Sequence, residues 1–362
     1  LISEIQRFTH IYFKSVIEMI ETNLTKMFGI KYPIIAAPMG PFYTTKLTVA
    51  VSEAGGLGVL SHTNLENKSS IKEMQENLQY VVDHTDKPFG LNIRTSRMQP
   101  DALDLVREIP RFIAGNQKMR DQCVYMLTSA GSATMLPKSK QFTKLKEAGS
   151  QVKHFHVAPS LELAQKCVTA GVDGLVVTGT EGGGHQSYEK VSTLVLMQQV
   201  QQALPDVPKV ACGGFATGQS LAAALMMGYG AIAMGTRFIA SQESEFHPNY
   251  KAIVPPAKAD ETDLFTGFFG PIRLWKNEFT KSHALVATKE EKMAEENEMS
   301  AEDLIHEKNS YEVTYNGDIQ HGAVLLGQSI GIINAIENVP DIIARIMKEA
   351  EGSLKSAASF LK

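Results

Sequence analysis

The 362-residue chain is 43% hydrophobic and 20% charged, with a formal net charge of −4. This supports one large or two ordinary folded domains and leaves no basic excess to neutralise phosphates, so a nucleic-acid partner is not expected. Three scattered cysteines (Cys123, Cys167 and Cys212) form no CxxC pair, and no run of about 18 apolar residues occurs, so neither a disulfide framework nor a membrane span is expected and a reduced, cytoplasmic setting is.

Because the chain opens at Leu1 and not at Met, its natural start is expected upstream. Ile5, Phe8, Tyr12, Ser15, Ile17 and Ile20 recur near helical spacing, which predicts an amphipathic leading helix over residues 1–27 that covers one end of the core. Glu4, Glu18 and Glu21 within it argue against an acid-poor mitochondrial presequence.

Eight short apolar runs follow: 33–39, 56–60, 89–93, 124–130, 152–158, 174–179, 209–214 and 231–238. Each is continuous and not alternating, the pattern of strands buried on both faces of a parallel sheet. Between them lie helix patterns. One ends before Gly55; one has Ser160 as N-cap and stops at Gly171; one has Thr217 as N-cap and stops at Gly228. Alternating strands and helices in this number and length predict an α/β fold, a (β/α)8 TIM barrel. The competing architecture, a doubly wound open sheet, is weakened by the lack of a GxGxxG after the first strand.

The pattern breaks after Phe238. The stretch 289–310 is charge-dense and reads as an exposed helix or lid. The expected organisation is a barrel over 28–239 and 322–362, with an insertion or lid subdomain at 240–321 above the active face.

In such barrels chemistry sits at the C-terminal ends of the strands. There "GTEGGGH" strips side chains away before His185, and Gly182, Gly183 and Gly184 leave room for a flat ligand beside that imidazole. Gly213 and Gly214, ahead of the Ala216-Thr217-Gly218 helix start, together with Gly235 and Thr236, fit a phosphate cradle after the last two strands. His154 and His156 share one strand face, but no third ligand follows at a suitable spacing, so no metal is expected. Cys212 reads as a small core residue.

"PIIAAPMG", "AGGLGVL", "FGLNI", "SAGS", "GTEGGGH", "ACGGFATG", "MGTRF" and "GQSIG", in this order, resemble the nitronate monooxygenase (2-nitropropane dioxygenase) family, which is related to flavin-dependent enoyl-acyl-carrier-protein reductases. The family's Glu-Ala-Gly-Gly-His-x-Gly stands here as Glu181 to Ser187, with Gly182 for the alanine and Ser187 for the last glycine, so Ser187 and Tyr188 are expected at the pocket rim. The resemblance implies an FMN with Met39 near its ring and Asn92 bonded to it. Gly183 and Gly184 would abut it, Gly213, Gly214, Gly235 and Thr236 would hold its phosphate, and Gln328 and Ser329 would close the site. Ser129 is a further candidate.

It further implies oxidation of a small-molecule nitronate with O2 to a carbonyl compound and nitrite. His185 would act as an imidazolium that binds the anion or as a base. The alternative is an NAD(P)H-dependent FMN reductase of an enoyl thioester or a quinone. A phosphate-binding barrel without catalysis is disfavoured by the presence of His185, and the cysteine loop of the inosine monophosphate dehydrogenases is missing. A homodimer is compatible with these expectations.

Overall fold

The computed structural model describes residues 20–66, 68–96, 99–267, 270–283, 288, 290, 291, 294 and 309–361. Residues 1–19 of the expected leading helix and most of the charge-dense 289–310 lie outside these.

Eight parallel strands make the central sheet: β1 (Ile34–Ala36), β2 (Gly58–Leu60), β3 (Phe89–Arg94), β4 (Cys123–Ser129), β5 (Lys153–Ala158), β6 (Gly174–Thr178), β8 (Lys209–Cys212) and β9 (Ala231–Met234). Their order is β1-β9-β8-β6-β5-β4-β3-β2. The Ala36 amide donates to the Leu57 carbonyl and the Leu57 amide to the Ile34 carbonyl, each at 2.9 Å, which joins β1 to the start of β2 and closes the ring. The chain is a (β/α)8 barrel. Every predicted strand is present because each apolar run is buried on both sides, by barrel interior and by helix.

Helices Thr45–Glu53, Leu161–Thr169 and Gly218–Met226 stand where the sequence placed them. The Ser160 and Thr217 hydroxyls accept from the Leu163 and Ser220 amides, each at 3.2 Å, as N-caps do. Helix Val339–Ala358 supplies the last outer layer, burying Ile342, Ile343, Ile346 and Met347 against helices Thr45–Glu53 and Gly218–Met226.

The barrel interior is graded from bottom to top. Phe28, from the short helix Asn23–Phe28, meets Tyr125 and Phe155 at ring-centroid distances of 5.2 and 5.4 Å. These rings fill the N-terminal end. Neighbouring strands carry glycine where the rings need space: a Cβ at Gly90 would meet Tyr125 at 2.6 Å, and one at Gly174 would meet Phe155 at 2.3 Å. Side chains alternate along a strand, and the inward positions that reach the cavity toward the C-terminal end are Asn92 and Arg94 on β3, Ser129 on β4, Val157 on β5 and Val176 and Thr178 on β6. The polar layer therefore sits above an aromatic floor.

After β9 the chain forms the short helix Thr236–Ile239, helix Pro248–Ile253 and an antiparallel hairpin of β10 (Thr262–Gly267) and β11 (Gly270–Trp275). The hairpin extends a separate three-stranded sheet, β10-β11-β7, in which β7 is the pair Gly184–His185. Among the described residues no helix is long and apolar enough to cross a membrane.

Candidate active site

A cavity of about 350 Å³ opens at the C-terminal end of the barrel. The structure brings Met39, Asn92, Ser129, Gly183, Gly184, His185, Gly213, Gly214, Gly235 and Thr236 onto its wall, together with Ser329. Gln328 is not on that wall. Its amide donates to the Glu181 carbonyl at 2.8 Å, so it fastens the returning loop to the glycine loop from behind. Ser187 and Tyr188, expected at the rim, do not line the cavity.

The glycines have separate physical reasons. A Cβ on Gly183 would lie 2.8 Å from the Gly327 nitrogen, so its bareness lets the returning loop 326–329 pack on the glycine loop; the space is taken by backbone. Gly184 holds φ +83°, which only glycine adopts without strain, and it starts β7. Gly235 differs from both. Its φ is −99° and a Cβ there would meet nothing nearer than 3.8 Å, so the protein itself does not require a glycine. Its open side faces the cavity. This is the clearest mark of a ligand that approaches bare backbone.

Gly213 and Gly214 turn consecutively through positive φ at the end of β8. Successive amides in such turns form concave, anion-attracting nests. The helix start beyond them is not free. Thr217 caps it, and the Glu349 carboxylate accepts from the Gly218 amide at 2.9 Å. The helix terminus proposed in the sequence cradle is thus closed by the protein's own groups, and the groups left facing the cavity are the two loops, 213–214 and 235–236. The Thr236 hydroxyl accepts from the Gly327 amide at 3.0 Å, which ties the same region to the returning loop.

His185 is placed by strand pairing. It registers with Ile272 and Gly184 with Arg273, so the hairpin carries the imidazole to the cavity. Arg273 secures that hairpin: its Nε donates to the Thr180 carbonyl at 2.5 Å and its Nη1 to the Thr262 carbonyl at 3.2 Å. Burial, and next the nearby Arg94 guanidinium, push the His185 pKa down to about 4. In the cavity as it stands the imidazole is neutral at physiological pH, which favours the base over the imidazolium of the two expected roles.

Arg94, absent from the sequence candidates, supplies positive charge instead. It ends β3 on the cavity wall, with Nη2 donating to Asn64 Oδ1 at 2.8 Å. Its backbone amide donates to His62 Nδ1 at 3.1 Å, and His62 Nε2 meets Asp101 Oδ2 at 3.2 Å. Because His62 accepts at Nδ1, its proton sits on Nε2 and is given to Asp101. Burial raises the Asp101 pKa, but hydrogen bonds from His62, Ser70 and Gln99 outweigh it and hold the carboxylate below its usual range. This relay pins the Arg94 backbone, and Asn64 tethers its guanidinium.

Asn92 gives its amide hydrogens to the barrel, to the Leu127 carbonyl at 3.1 Å and to Ser129 Oγ at 3.0 Å, and its Oδ1 stands 3.4 Å from the same Ser129 hydroxyl with acceptor capacity left over. The Met39 amide donates to Ser61 Oγ at 2.8 Å. Cys212 packs against the core at an interior strand position, as expected, and also lines the cavity; burial pushes its thiol up to about 11, which disfavours a thiolate. The opposite wall is aromatic: Phe42, Phe246 and Tyr250 have ring centroids 4.9 to 5.7 Å apart, and Tyr250 donates to the Leu325 carbonyl at 2.9 Å. Phe246 and Tyr250 were not legible in the sequence because they come from an insertion without periodicity, whereas Phe42 follows β1 directly.

His154 and His156 lie on the helix side of β5, away from the cavity, and both bond Thr128 Oγ1, at 2.7 and 2.6 Å. No group of three or more His, Cys, Asp or Glu suited to a metal occurs among the described residues.

Residues 21–349 match the family profile described as nitronate monooxygenase. Among curated proteins, a Rhodococcus jostii "(3aS,4S,5R,7aS)-5-hydroxy-7a-methyl-1-oxo-octahydro-1H-indene-4-carboxyl-CoA dehydrogenase" is 35% identical over 62% of this chain; the match spans 57% of that protein. The Mycobacterium tuberculosis protein of the same name is 27% identical over 95% of this chain and 99% of its own length. A probable nitronate monooxygenase of Staphylococcus saprophyticus is 27% identical over 72% of this chain and 80% of its own. Among solved structures, FabK of Thermotoga maritima superposes with a TM-score of 0.77 at 31% identity, covering 94% of this chain and all of its own. A nitroalkane oxidase of Streptomyces ansochromogenes, at 24% identity and a TM-score of 0.69, shares the fold. The chain is an oxidoreductase and belongs to the nitronate monooxygenase family.

Proposed function

We propose that the protein is an FMN-dependent oxidoreductase that oxidises small alkyl nitronates with O2 to carbonyl compounds and nitrite. The observation that carries this reading is the pairing of a neutral imidazole, His185, with a fixed guanidinium, Arg94, on one wall of the cavity. A nitronate is a delocalised anion and needs positive charge beside it; a neutral nitroalkane needs a base at its acidic carbon. The two residues divide these tasks.

The cavity fits FMN in its own terms. Gly213, Gly214, Gly235 and Thr236 would hold the phosphate with backbone amides, Asn92 Oδ1 would accept from the ring edge, and Met39, Gly183, Gly184 and Ser129 would border the ring. FMN, when bound, supplies the electron transfer between substrate and O2. Around it Arg94 binds the nitronate oxygens, His185 accepts the carbon proton of a nitroalkane on a ring nitrogen, and the aromatic wall excludes water from the carbon end. The overall balance closes as two nitronates and one O2 giving two carbonyl compounds and two nitrites.

A second reading is favoured by one comparison, the 35% identity to a CoA-thioester dehydrogenase. On that reading the substrate is an acyl or enoyl thioester, or a quinone, the electrons pass to or from NAD(P)H, and Phe42, Phe246 and Tyr250 flank its apolar part. The purified protein tests both. The proposal expects a yellow protein that releases FMN on denaturation and forms nitrite from propane-2-nitronate only in air. A protein that cannot be loaded with FMN contradicts the cofactor; a loaded protein that makes no nitrite contradicts the substrate.

A further inference from the structure

We propose that Arg94 is the substrate-selecting residue of this cavity, and that it recognises planar anions with two oxygens on one atom, nitronates and their carboxylate isosteres alike. This rests on the reading above for the position of the substrate, and it goes further by naming the residue and the ligand geometry. Three observations support it. Arg94 reaches the cavity wall at the top of β3. Asn64 Oδ1 is the one side-chain hydrogen-bond partner of its guanidinium among the described residues, while its Nε, out of contact with bulk solvent, has none. Its backbone is pinned by the His62–Asp101 pair and its guanidinium is tethered by Asn64 through Nη2.

An unsatisfied, enclosed guanidinium N–H costs free energy unless a ligand completes it. The planar fork of arginine matches two oxygens on a common planar atom and binds them in parallel. A nitronate presents that pair on nitrogen and a carboxylate presents it on carbon. A thioester presents a single carbonyl oxygen and leaves half of the fork unused. Arg94 thereby discriminates between the two substrate classes that the family fold accommodates, and it does so before any electron moves. No bond is made or broken in this step.

The test is isothermal titration of the FMN-loaded enzyme with isobutyrate, which copies the shape and charge of propane-2-nitronate, and with isobutyramide, which copies the shape alone. Wild type is expected to bind isobutyrate about tenfold to a hundredfold more tightly than isobutyramide, the range of a charge-assisted pair. Arg94→Met is expected to abolish that preference while keeping FMN bound; Arg94→Lys, which keeps charge without the fork, is expected to restore only part of it. Equal affinities in wild type, no binding of isobutyrate, or an unchanged preference in Arg94→Met would overturn the proposal. The wild-type comparison stands even where a variant fails to fold. Nitrite formation separates the two levels: turnover of nitronate with an unchanged KM in Arg94→Met sinks the role of Arg94 alone, whereas Arg94-dependent isobutyrate binding without nitronate turnover sinks the assigned reaction alone.

Discussion

His185 and Arg94 differ in how they announce themselves. The histidine follows three glycines at the end of an apolar run, a context that sets it apart from an ordinary surface imidazole. Arg94 follows "LNI" with no motif around it and reads as the first residue of a loop. Its signal is parity: Gly90 and Asn92 point into the barrel, so the next inward position is 94. The two residues also fix a pH signature. With the pKa of His185 lowered to about 4 by burial and then by Arg94, the base form persists well below neutrality. The kcat/KM for a neutral nitroalkane is expected to stay level from pH 8 to about 5 and to fall only near 4; an acid limb at the ordinary histidine value of 6.5 would contradict it. His185→Ala is expected to lower that kcat by about a hundredfold to ten-thousandfold, the range of a lost general base, with FMN still bound on gel filtration.

Loops assemble the site, and two glycine substitutions separate their duties. Gly183→Ala would drive a methyl into the Gly327 backbone, and overpacking of this kind costs about 1 to 3 kcal/mol. A clear fall in Tm is expected, with loosened FMN as a consequence. Gly235→Ala meets no protein atom within 3.8 Å and keeps an ordinary φ, so Tm of the FMN-free protein should hardly change while FMN affinity drops. Equal Tm losses in both variants would show that Gly235 serves the fold and not a ligand. The barrel strands were readable because burial on both faces leaves unbroken apolar runs. The pairing of Gly184–His185 with Gly270–Trp275 was not: a two-residue strand has no period, and its partner lies nearly ninety positions on, inside an aperiodic insertion. The same limit hid Phe246 and Tyr250. The closed start of helix Gly218–Met226 was invisible for a related reason, since its blocking carboxylate, Glu349, arrives from the last helix.

Among the described residues the fold buries the imidazoles of His62, His154 and His156 and half-buries that of His185, and this sets its response to acid. Burial pushes the pKa of His62, His156 and His185 down to about 4 and that of His154 to about 3. In the unfolded chain each titrates near 6.5. Between these values the unfolded state binds protons that the folded state refuses, so stability is full above about pH 6.5, falls as pH drops and levels off only near 3 to 4. Calorimetric Tm should therefore decline steadily from pH 6.5 to 4. A flat Tm over that interval would mean that these side chains are solvated or charged in the native protein. The barrel fold is shared with solved structures of differently named enzymes, so the substrate must be decided at the cavity and not from the barrel.

Anaerobic mixing of the FMN-loaded enzyme with propane-2-nitronate, and separately with NADH and NADPH, while the flavin spectrum is recorded, bears most directly on the assigned chemistry. The expected result is a rapid spectral change with the nitronate and none with either nicotinamide. Bleaching by NADH or NADPH, with the nitronate leaving the spectrum untouched, would contradict it.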